Sequence, residues 1–291
     1  MAFPMAQQIE LDSSNIADIG DPDDSLHGIS EDLTYRRVGI VNVIFYGMAN
    51  AADRGWVLID AGLPGTANRI VEAAVARFGE NSRPSAIVLT HGHFDHVGAL
   101  QELSRRWEVP IYAHRAEFPY LDGSMSYPEP DPKAGGGIMT LLSPLFPREP
   151  VDVWQHLREL AADGSVPGMA GWKWISTPGH TEGHVSLWRE EDRMLIAGDA
   201  FITTAQESAY AVLVQRPEMH GPPRYLTPNW ESAAASVRTL AALEPDVVVT
   251  GHGPAMRGPE MLRALHQLAD QFESVAVPED VKQSPGRPVV D

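Results

Sequence analysis

The chain has 291 residues, of which 43% are hydrophobic and 21% charged, a composition that supports a packed core and excludes wholesale disorder. Its formal net charge of −17 argues against nucleic acid or an anionic membrane as partner, because both attract basic proteins. Cysteine is absent, which excludes disulfides and thiolate ligands, so any metal must be held by histidine and carboxylate side chains.

The first 33 residues are acidic and rich in turn-forming residues, which predicts an irregular N-terminal arm over 1–33. This end of the chain lacks the basic and apolar regions of a secretory signal, and no stretch is as long and apolar as a membrane helix. We therefore expect a soluble, cytoplasmic protein. Alternating strands and helices follow the arm, with strands predicted over 37–46, 56–60, 85–90 and 110–113 and helices over 66–78 and 96–107.

Residues 119–150 interrupt this alternation with many prolines and the run Gly135-Gly136-Gly137, and long segments of this kind are usually functional or disordered. A second irregular segment spans 203–228, and the tail 278–291 is polar and is predicted to be loose. The elements between these segments are helices over 151–162, 231–243 and 259–275 and strands over 172–177, 184–188, 193–197 and 246–250. The pattern predicts a mixed α/β domain over 34–277 that carries insertions at 119–150 and 203–228.

The segment from Thr90 to Gly98 reads Thr-His-Gly-His-Phe-Asp-His-Val-Gly and follows a predicted buried strand. His91 and His93 alternate in extended backbone, so both imidazoles can face one point. Asp95 and His96 follow where the chain turns into a helix, and they can face a second point a few ångströms away. Nitrogen and oxygen ligands without sulfur suit Zn²⁺ and tolerate Mn²⁺ or Fe²⁺. The motif therefore predicts a metal site at the end of this strand.

Three further candidate ligands occur in matching contexts, because each follows a predicted strand and lies beside a glycine. His180 lies in Thr-Pro-Gly-His, Asp199 in Ile-Ala-Gly-Asp, and His252 in Val-Thr-Gly-His. Glycine permits close backbone approach, and loops at the ends of rigid strands commonly carry binding residues. These three residues are therefore expected to join the site.

This ordered set of motifs, from Leu58-Ile-Asp-Ala-Gly62 to His252, resembles the metallo-β-lactamase superfamily of hydrolases. The resemblance implies a four-layer αββα sandwich with two metal ions in the cleft between its sheets. It implies a role for Asp60 in orienting a ligand histidine, although Asp60 can instead cap a turn. The implied ligands are His91, His93 and His180 for the first metal, Asp95, His96 and His252 for the second, and Asp199 as a bridge between both.

Other histidines and tryptophans carry weaker signals. His184 and His114 are expected either to form hydrogen bonds near the site or to have a structural role. Tryptophans that alternate on predicted strands are expected in the core rather than as a platform for substrate, namely Trp172, Trp174 and Trp188. The remaining histidines are expected at the surface or in packing positions, namely His27, His156, His220 and His266.

Two metal ions a few ångströms apart hold a bridging water and lower its pKa toward neutrality. We therefore expect a dinuclear hydrolase in which metal-bound hydroxide cleaves a carboxylic ester bond of a small-molecule substrate, a lactone or an acyl thioester. The two expected catalytic residues are Asp95, which orients the nucleophile and shuttles a proton, and Asp199, which bridges the metals. Zinc is favoured over manganese or iron, and a homodimer is left open.

The subfamily is harder to predict. Asp199 stands where dedicated β-lactamases usually have Cys or Ser, and an Asp there is shared by glyoxalase II, acyl-homoserine lactonases and processing ribonucleases. The net charge disfavours a ribonuclease, and a tail with only Lys282 and Arg287 offers little to glutathione carboxylates. The tyrosine of lactonases is missing just after Asp199, with Tyr210 or Tyr225 as candidate replacements. A β-lactamase-type amide hydrolase, a phosphodiesterase and an iron-dependent persulfide oxidase remain alternatives.

The two irregular segments follow strands that should end near the metals. We predict that they form the walls of the substrate pocket, with a dimerisation surface as the alternative. Apolar walls gain affinity by burying alkyl groups, so medium acyl chains should be preferred over glutathione thioesters and phosphodiesters. The candidate wall residues are Tyr127, Phe146, Phe201 and Tyr210, together with Met125, Met139, Val212, Leu213 and Met219.

Overall fold

The computed structural model describes residues 9–17, 26–131, 134, 138–205 and 217–282. The strands are β1 (Ile9–Glu10), β2 (His27–Gly28), β3 (Leu33–Val38), β4 (Val41–Tyr46), β5 (Val57–Ile59), β6 (Ala86–Val88), β7 (Ile111–Ala113), β8 (Leu157–Glu159), β9 (Trp172–Ser176), β10 (Val185–Arg189), β11 (Met194–Gly198), β12 (Glu218–Met219), β13 (Val247–Thr250) and β14 (Met256–Arg257). The α-helices are α1 (Ala67–Phe78), α2 (Phe94–Val97), α3 (Leu100–Trp107), α4 (Phe118–Leu121), α5 (Ile138–Leu142), α6 (Trp230–Ala241), α7 (Gly258–Asp270), α8 (Phe272–Val275) and α9 (Glu279–Lys282).

Most of the strands belong to two sheets. The seven-stranded sheet has the order β2-β3-β4-β5-β6-β7-β8, antiparallel as far as β5 and parallel from there to β8. The five-stranded sheet has the order β14-β13-β11-β10-β9, and its β11–β13 pair is parallel. β1 and β12 form a separate antiparallel pair.

Alternating side chains on the strands divide the core into three layers. On β4, Phe45 points outward to the cluster that includes Ile70 and Phe78 of α1, whereas Ile44 points inward to the other sheet. On β11, Leu195 points outward to the cluster under α6 and α7, and its neighbour Ile196 points inward. The two sheets therefore pack face to face with helices on both outer faces, which confirms the expected αββα sandwich.

The predicted tryptophan positions agree with this layering. Trp172 is buried between the two sheets and Trp174 packs against the same layer, with its indole N–H donating to the Ala161 carbonyl at 2.8 Å. Trp188 faces the opposite side of its strand and packs against the layer under α6 and α7. All three contribute to packing. Within the described residues, the helices are too short or too polar to cross a lipid bilayer.

The helix predicted over 151–162 is wrong, because this segment supplies the edge strand β8. Val153, Leu157 and Leu160 have helical spacing, but Leu157 packs into the outer layer beside α3 while Leu160 packs between the sheets. A single helical face cannot serve two layers on opposite sides of a sheet. Part of this segment instead pairs in parallel with β7, and Leu157 lies opposite Ile111.

Several element boundaries also differ from the prediction. The strand predicted over 37–46 is a hairpin of β3 and β4 that turns at Gly39, where φ is +72°. The helix predicted over 96–107 is divided into α2 and α3, and α7 and α8 divide the helix predicted over 259–275. In the arm, which was expected to be irregular, the described residues contribute β1 and β2, and the tail contributes α9.

Leu58 tests the importance of the outer helix–sheet layer. Its side chain is fully buried there, so Leu58→Ala should lower the free energy of unfolding by about 2–5 kcal/mol through lost burial and a residual cavity. Urea unfolding followed by circular dichroism measures this loss. Val75→Ala on α1, where the side chain is 37% exposed, is the control and should change stability by less than about 0.5 kcal/mol. Equal losses in both variants would contradict this layering.

Candidate metal centre

The seven residues implied as metal ligands lie in segments that follow strands of both sheets, five of them on loops and two, Asp95 and His96, in the short helix α2. His91 and His93 follow β6, Asp199 directly follows β11, and His252 is separated from β13 by Gly251. All seven side chains are at most 5% exposed, and they are His91, His93, Asp95, His96, His180, Asp199 and His252. The fold therefore gathers them into one buried cluster where the two sheets meet.

The ligand atoms of this cluster fall into three groups, and within each group the atoms lie within 4.8 Å of one another. Two of these groups match the ligand sets implied by the sequence resemblance, and the third contains Asp199 with one histidine from each set. Asp199 Oδ2 lies 3.5 Å from His180 Nε2, while its Oδ1 lies 3.5 Å from His96 Nε2. The groups are His91–His93–His180, Asp95–His96–His252 and His91–His96–Asp199.

Asp60 fixes which ring nitrogens of two histidines face the cluster. Its Oδ2 accepts hydrogen bonds from His96 Nδ1 and from the Thr90 hydroxyl, each at 2.8 Å. Because the Thr90 hydroxyl has donated its proton to Asp60, it accepts at 3.0 Å from His91 Nδ1. Each ring therefore uses Nδ1 in these hydrogen bonds, and Nε2 is the nitrogen that faces the cluster. This supports the predicted orienting role of Asp60 rather than a turn cap.

Two other histidines are oriented in the same way by neighbouring loops. His180 Nδ1 lies 3.1 Å from the Thr227 hydroxyl, which donates its own proton to the Pro223 carbonyl and so must accept from the ring. His252 Nδ1 donates to the Ile40 carbonyl at 2.7 Å. Partners of this kind hold a ligand histidine in the tautomer that coordinates metal through Nε2.

Three buried atoms at the centre of the cluster have no hydrogen-bond partner among the described residues. They are Nε2 of His91, Nε2 of His96 and Oδ1 of Asp199, one atom from each residue of the third group. Buried polar atoms without a partner are costly, and imidazole nitrogens and carboxylate oxygens are ligands of divalent metals. The residues present therefore fit divalent metal ions.

The electrostatics of the first group keep its histidines neutral. Burial lowers the pKa of His91 and His180 well below the ordinary value, and it lowers the pKa of His93 to about 3. The neighbouring imidazoles act in the same direction, since a second positive charge nearby is unfavourable. At neutral pH these three rings therefore offer lone pairs rather than charges.

The carboxylates of the cluster have different environments. Burial by itself favours the protonated form of Asp199, but His252 and His96 outweigh it and hold the pKa of Asp199 well below its usual range. Burial also opposes charging of His96, yet Asp199 and Asp60 raise the pKa of His96 well above normal. Burial raises the pKa of Asp95. Asp199 is thus the permanent anion of the cluster, and Asp95 is the carboxylate that takes up a proton more readily.

The backbone around Asp199 is shaped for close contact. The register of β11 shifts between Ile196 and Gly198, which turns the end of the strand toward the cluster. His184, which was a candidate for a hydrogen bond near the site, accepts the Asp199 N–H at 2.9 Å through its Nε2. A Cβ on Gly251 would lie 2.0 Å from Asp199 Oδ1, so only glycine fits there.

The remaining histidines lie outside the three ligand groups. His114 begins a 3₁₀ helix, where its Nδ1 accepts from the Ala116 N–H at 3.3 Å, and it is structural. His27 stacks on Tyr35, and His266 pairs with Glu244 near the surface. Sequence reasoning missed Thr227 and Glu117, a fully buried carboxylate beside the cluster. The partners of both residues lie far away in the sequence, so no local pattern marks either of them.

A cavity of about 520 Å³ opens beside the first histidine group and is bordered by His93 and His180. The Tyr127 ring packs against His93 with ring centres 4.4 Å apart, and Tyr120 stacks on Tyr127 at 3.8 Å. Described residues of both irregular segments line the cavity, as predicted. From the first segment they are Tyr120, Tyr127, Pro128, Glu129, Pro130 and Asp131, and from the second Arg224, Tyr225, Leu226, Thr227 and Pro228.

The individual wall predictions have mixed outcomes. Tyr127 lines the cavity, and Phe146 borders a smaller adjoining one, where it packs against Phe94 with ring centres 5.2 Å apart. Phe201 and Met219 were predicted wrongly, because both are fully buried in the layer under α6 and α7. Met125 is 52% exposed, and the other candidates lie outside the described residues, namely Tyr210, Val212, Leu213 and the side chain of Met139.

Comparison with known proteins agrees with this geometry. The sequence profile of the metallo-beta-lactamase superfamily matches residues 36–252, and the chain belongs to this superfamily. The probable metallo-hydrolase YflN of Bacillus subtilis (strain 168) is 48% identical over 238 residues, which cover 82% of this chain and 90% of that protein. The probable metallo-hydrolase YybB of the same organism is 29% identical over 196 residues, covering 67% and 74%.

Solved structures show the same fold. A beta-lactamase domain protein from Burkholderia ambifaria has a TM-score of 0.60 at 20% identity and covers 88% of this chain and 79% of its own. The metallo-beta-lactamase family protein TTHA1429 from Thermus thermophilus has a TM-score of 0.58 at 20% identity, covering 84% and 81%. Together with the named relatives, the site identifies this chain as a metal-dependent hydrolase.

The orienting role of Asp60 is testable through metal affinity. Asp60→Asn places an amide N–H₂ in the site and favours the His96 tautomer with the proton on Nε2, the nitrogen that faces the cluster. We expect metal affinity to fall about 10–100-fold, as measured by competition with a chelator. Asp53→Asn is the control, because Asp53 pairs with Arg83 at the surface, and this variant should bind metal like the unaltered chain. Unchanged affinity in Asp60→Asn would rule out this role.

Proposed function

We propose that this enzyme is a dinuclear hydrolase that cleaves a carboxylic ester bond, in a lactone or an acyl thioester. The observation that carries the proposal is the pair of ligand groups joined by Asp199 beside a cavity with aromatic and proline walls. Sites of this kind, concave and largely apolar with a few polar groups at one end, are suited to small-molecule substrates.

In this proposal, His91, His93 and His180 would hold one ion, Asp95, His96 and His252 would hold the other, and Asp199 would serve both. When bound, the two ions supply Lewis acidity and a nucleophilic water at neutral pH. We propose zinc, since the donor set is nitrogen and oxygen only, with manganese and iron as alternatives.

Asp95 is the proposed proton carrier. Its carboxylate is 3% exposed, and its Oδ2 lies 3.4 Å from His252 Nε2. Burial raises the pKa of Asp95, which brings proton uptake by this group closer to neutral pH. Asp95 would accept a proton as the nucleophile attacks and return it to the leaving alkoxide or thiolate. Asp199 has a positioning and charge-balancing role, since its pKa is held well below the usual range.

The charges around the cavity favour neutral acyl groups over polyanions. Arg224 is a basic residue of the cavity wall, but its guanidinium is directed at the backbone, where it donates to the carbonyls of Ala276 and Val275 at 3.0 and 2.8 Å. The wall also contains three carboxylates, those of Glu129, Asp131 and Glu182. A phosphodiester or glutathione carboxylates would be repelled there, and this agrees with the net charge of −17. The aromatic and proline walls instead gain from burial of an alkyl chain.

The proposed substrate class is tested with a chain-length series. Each methylene buried against the wall contributes about 0.8 kcal/mol, so kcat/KM for lactones and acyl thioesters should rise up to about fourfold per methylene until the cavity is full. Tyr120→Ala should flatten the series, and Trp154→Ala, which alters a side chain 61% exposed elsewhere, should not. A flat series in the unaltered enzyme, or a preference for phosphodiesters, β-lactams or persulfides, would reject this substrate class.

The dinuclear site is tested with Asp199→Asn. Elemental analysis of the unaltered protein should give about two ions per chain. Asn offers one neutral oxygen in place of a charged carboxylate, so the variant should retain fewer ions and lose more than about 100-fold in kcat, with an unchanged circular dichroism spectrum. Asp163→Asn, which removes a carboxylate that bonds Ser165 at the surface, should behave like the unaltered protein. Near-normal turnover by Asp199→Asn would exclude a bridging role.

A further inference from the structure

Glu117 is a buried carboxylate that belongs to none of the three ligand groups. It ends the 3₁₀ helix Arg115–Glu117 that follows β7, and its side chain is 0% exposed. Isolated buried carboxylates are costly unless hydrogen bonds satisfy them. The contacts of Glu117 therefore indicate what it does.

Four donors satisfy the two oxygens of Glu117. Oε1 accepts from the Thr181 hydroxyl at 2.7 Å and from the Gly183 N–H at 2.9 Å. Oε2 accepts from the Gly92 N–H at 2.8 Å and from the Tyr127 hydroxyl. Because an ionised carboxylate has about four lone-pair positions, these donors use its full capacity as an acceptor.

The donors come from three segments that meet at the first histidine group. Gly92 lies between His91 and His93, while Thr181 directly follows His180 in the chain. Tyr127 belongs to the wall of the cavity, and its ring packs on His93. The backbone approaches Glu117 closely, since a Cβ on Gly183 would lie 2.6 Å from Oε1.

We propose that Glu117 is a positioning residue that sets the loop of His91 and His93 against the loop of His180, and sets the aromatic cavity wall against both. None of these four donors lies in the second ligand group, Asp95–His96–His252. Loss of Glu117 should therefore weaken the first metal site selectively. This inference rests on the proposed two-metal site.

A carboxylate is needed because of the number of donors. Glutamine has nearly the same shape, but its single amide oxygen accepts for only two of the four donors. Its N–H₂ group would face the other two, which leaves them without an acceptor in a buried place. Glu117→Gln thus changes the hydrogen bonding and leaves the packing volume almost unaltered.

The experiment compares Glu117→Gln with Glu159→Gln, which changes an exposed carboxylate paired with Arg115. Zinc affinity is measured by competition with a chelator. We expect Glu117→Gln to bind one ion as tightly as the unaltered protein and the other at least about 10-fold more weakly. Glu159→Gln should bind both ions normally.

Cobalt loading identifies the affected site. The ring N–H resonances of cobalt-bound histidines are shifted by the metal and disappear in D₂O. In Glu117→Gln at limiting cobalt, those of His91, His93 and His180 should be lost while those of His96 and His252 remain. A residue needed only for overall stability would affect both sets together.

The possible outcomes separate the inference from the proposed function. An unaltered protein that binds fewer than two ions contradicts the two-metal proposal itself. Two ions in the unaltered protein, together with normal or equally weakened sites in Glu117→Gln, overturn the role of Glu117. If Glu117→Gln does not fold, Thr181→Val decides, because it removes one of the four donors. In Thr181→Val, weaker metal binding at the first site alone supports the inference. Metal binding that is unchanged, or weakened equally at both sites, overturns it.

Discussion

The hydrogen bonds of Asp60 are the constraint on which the metal centre depends. This one carboxylate accepts from His96 Nδ1, from the Thr90 hydroxyl and from the Thr90 N–H, and Thr90 in turn accepts from His91. The proton positions of one histidine in each ligand group therefore follow from a single residue. Asp60 itself has φ of +60°, an unfavourable conformation for a residue with a side chain, and its N–H donates to the Val88 carbonyl of β6 at 2.9 Å.

The charges of the cluster are arranged so that its members have different protonation. The pKa of His93 is lowered to about 3 by burial and neighbouring imidazoles, whereas Asp199 and Asp60 raise the pKa of His96. Asp199 remains ionised in the same low-polarity surroundings because histidines face both of its oxygens. The cluster thus combines the neutral imidazoles of the first group with a fixed negative charge on Asp199, and this combination is suited to divalent cations.

The cavity is placed asymmetrically with respect to the two ligand groups. It is bordered by His93 and His180 of the first group, and the described residues that line it include no member of the Asp95–His96–His252 group. Substrate entering through it would reach the first group before the second. The same group is tied through Glu117 to Tyr127, so one buried carboxylate contacts both the ligand loops and the substrate wall.

The sequence by itself determined a mixed α/β domain, most of the strands and the seven candidate ligands, because short patterns at strand ends carry those signals, and the αββα arrangement was implied by the resemblance of its motifs to a known superfamily. His91, His93, Asp95 and His96 lie within six consecutive positions, and glycines mark the loops of the others. Tertiary structure decided what depends on distant partners. Thr227 and Glu117 orient loops far away in sequence, so no local pattern reveals them. Phe201 and Met219 are apolar residues that were expected in the pocket wall. The helices α6 and α7 pack over them, so both lie in the hydrophobic core. Residues 151–162 have helical spacing, yet residues 157–159 among them form the strand β8, because the edge of β7 offers backbone hydrogen bonds that only a folded sheet can provide.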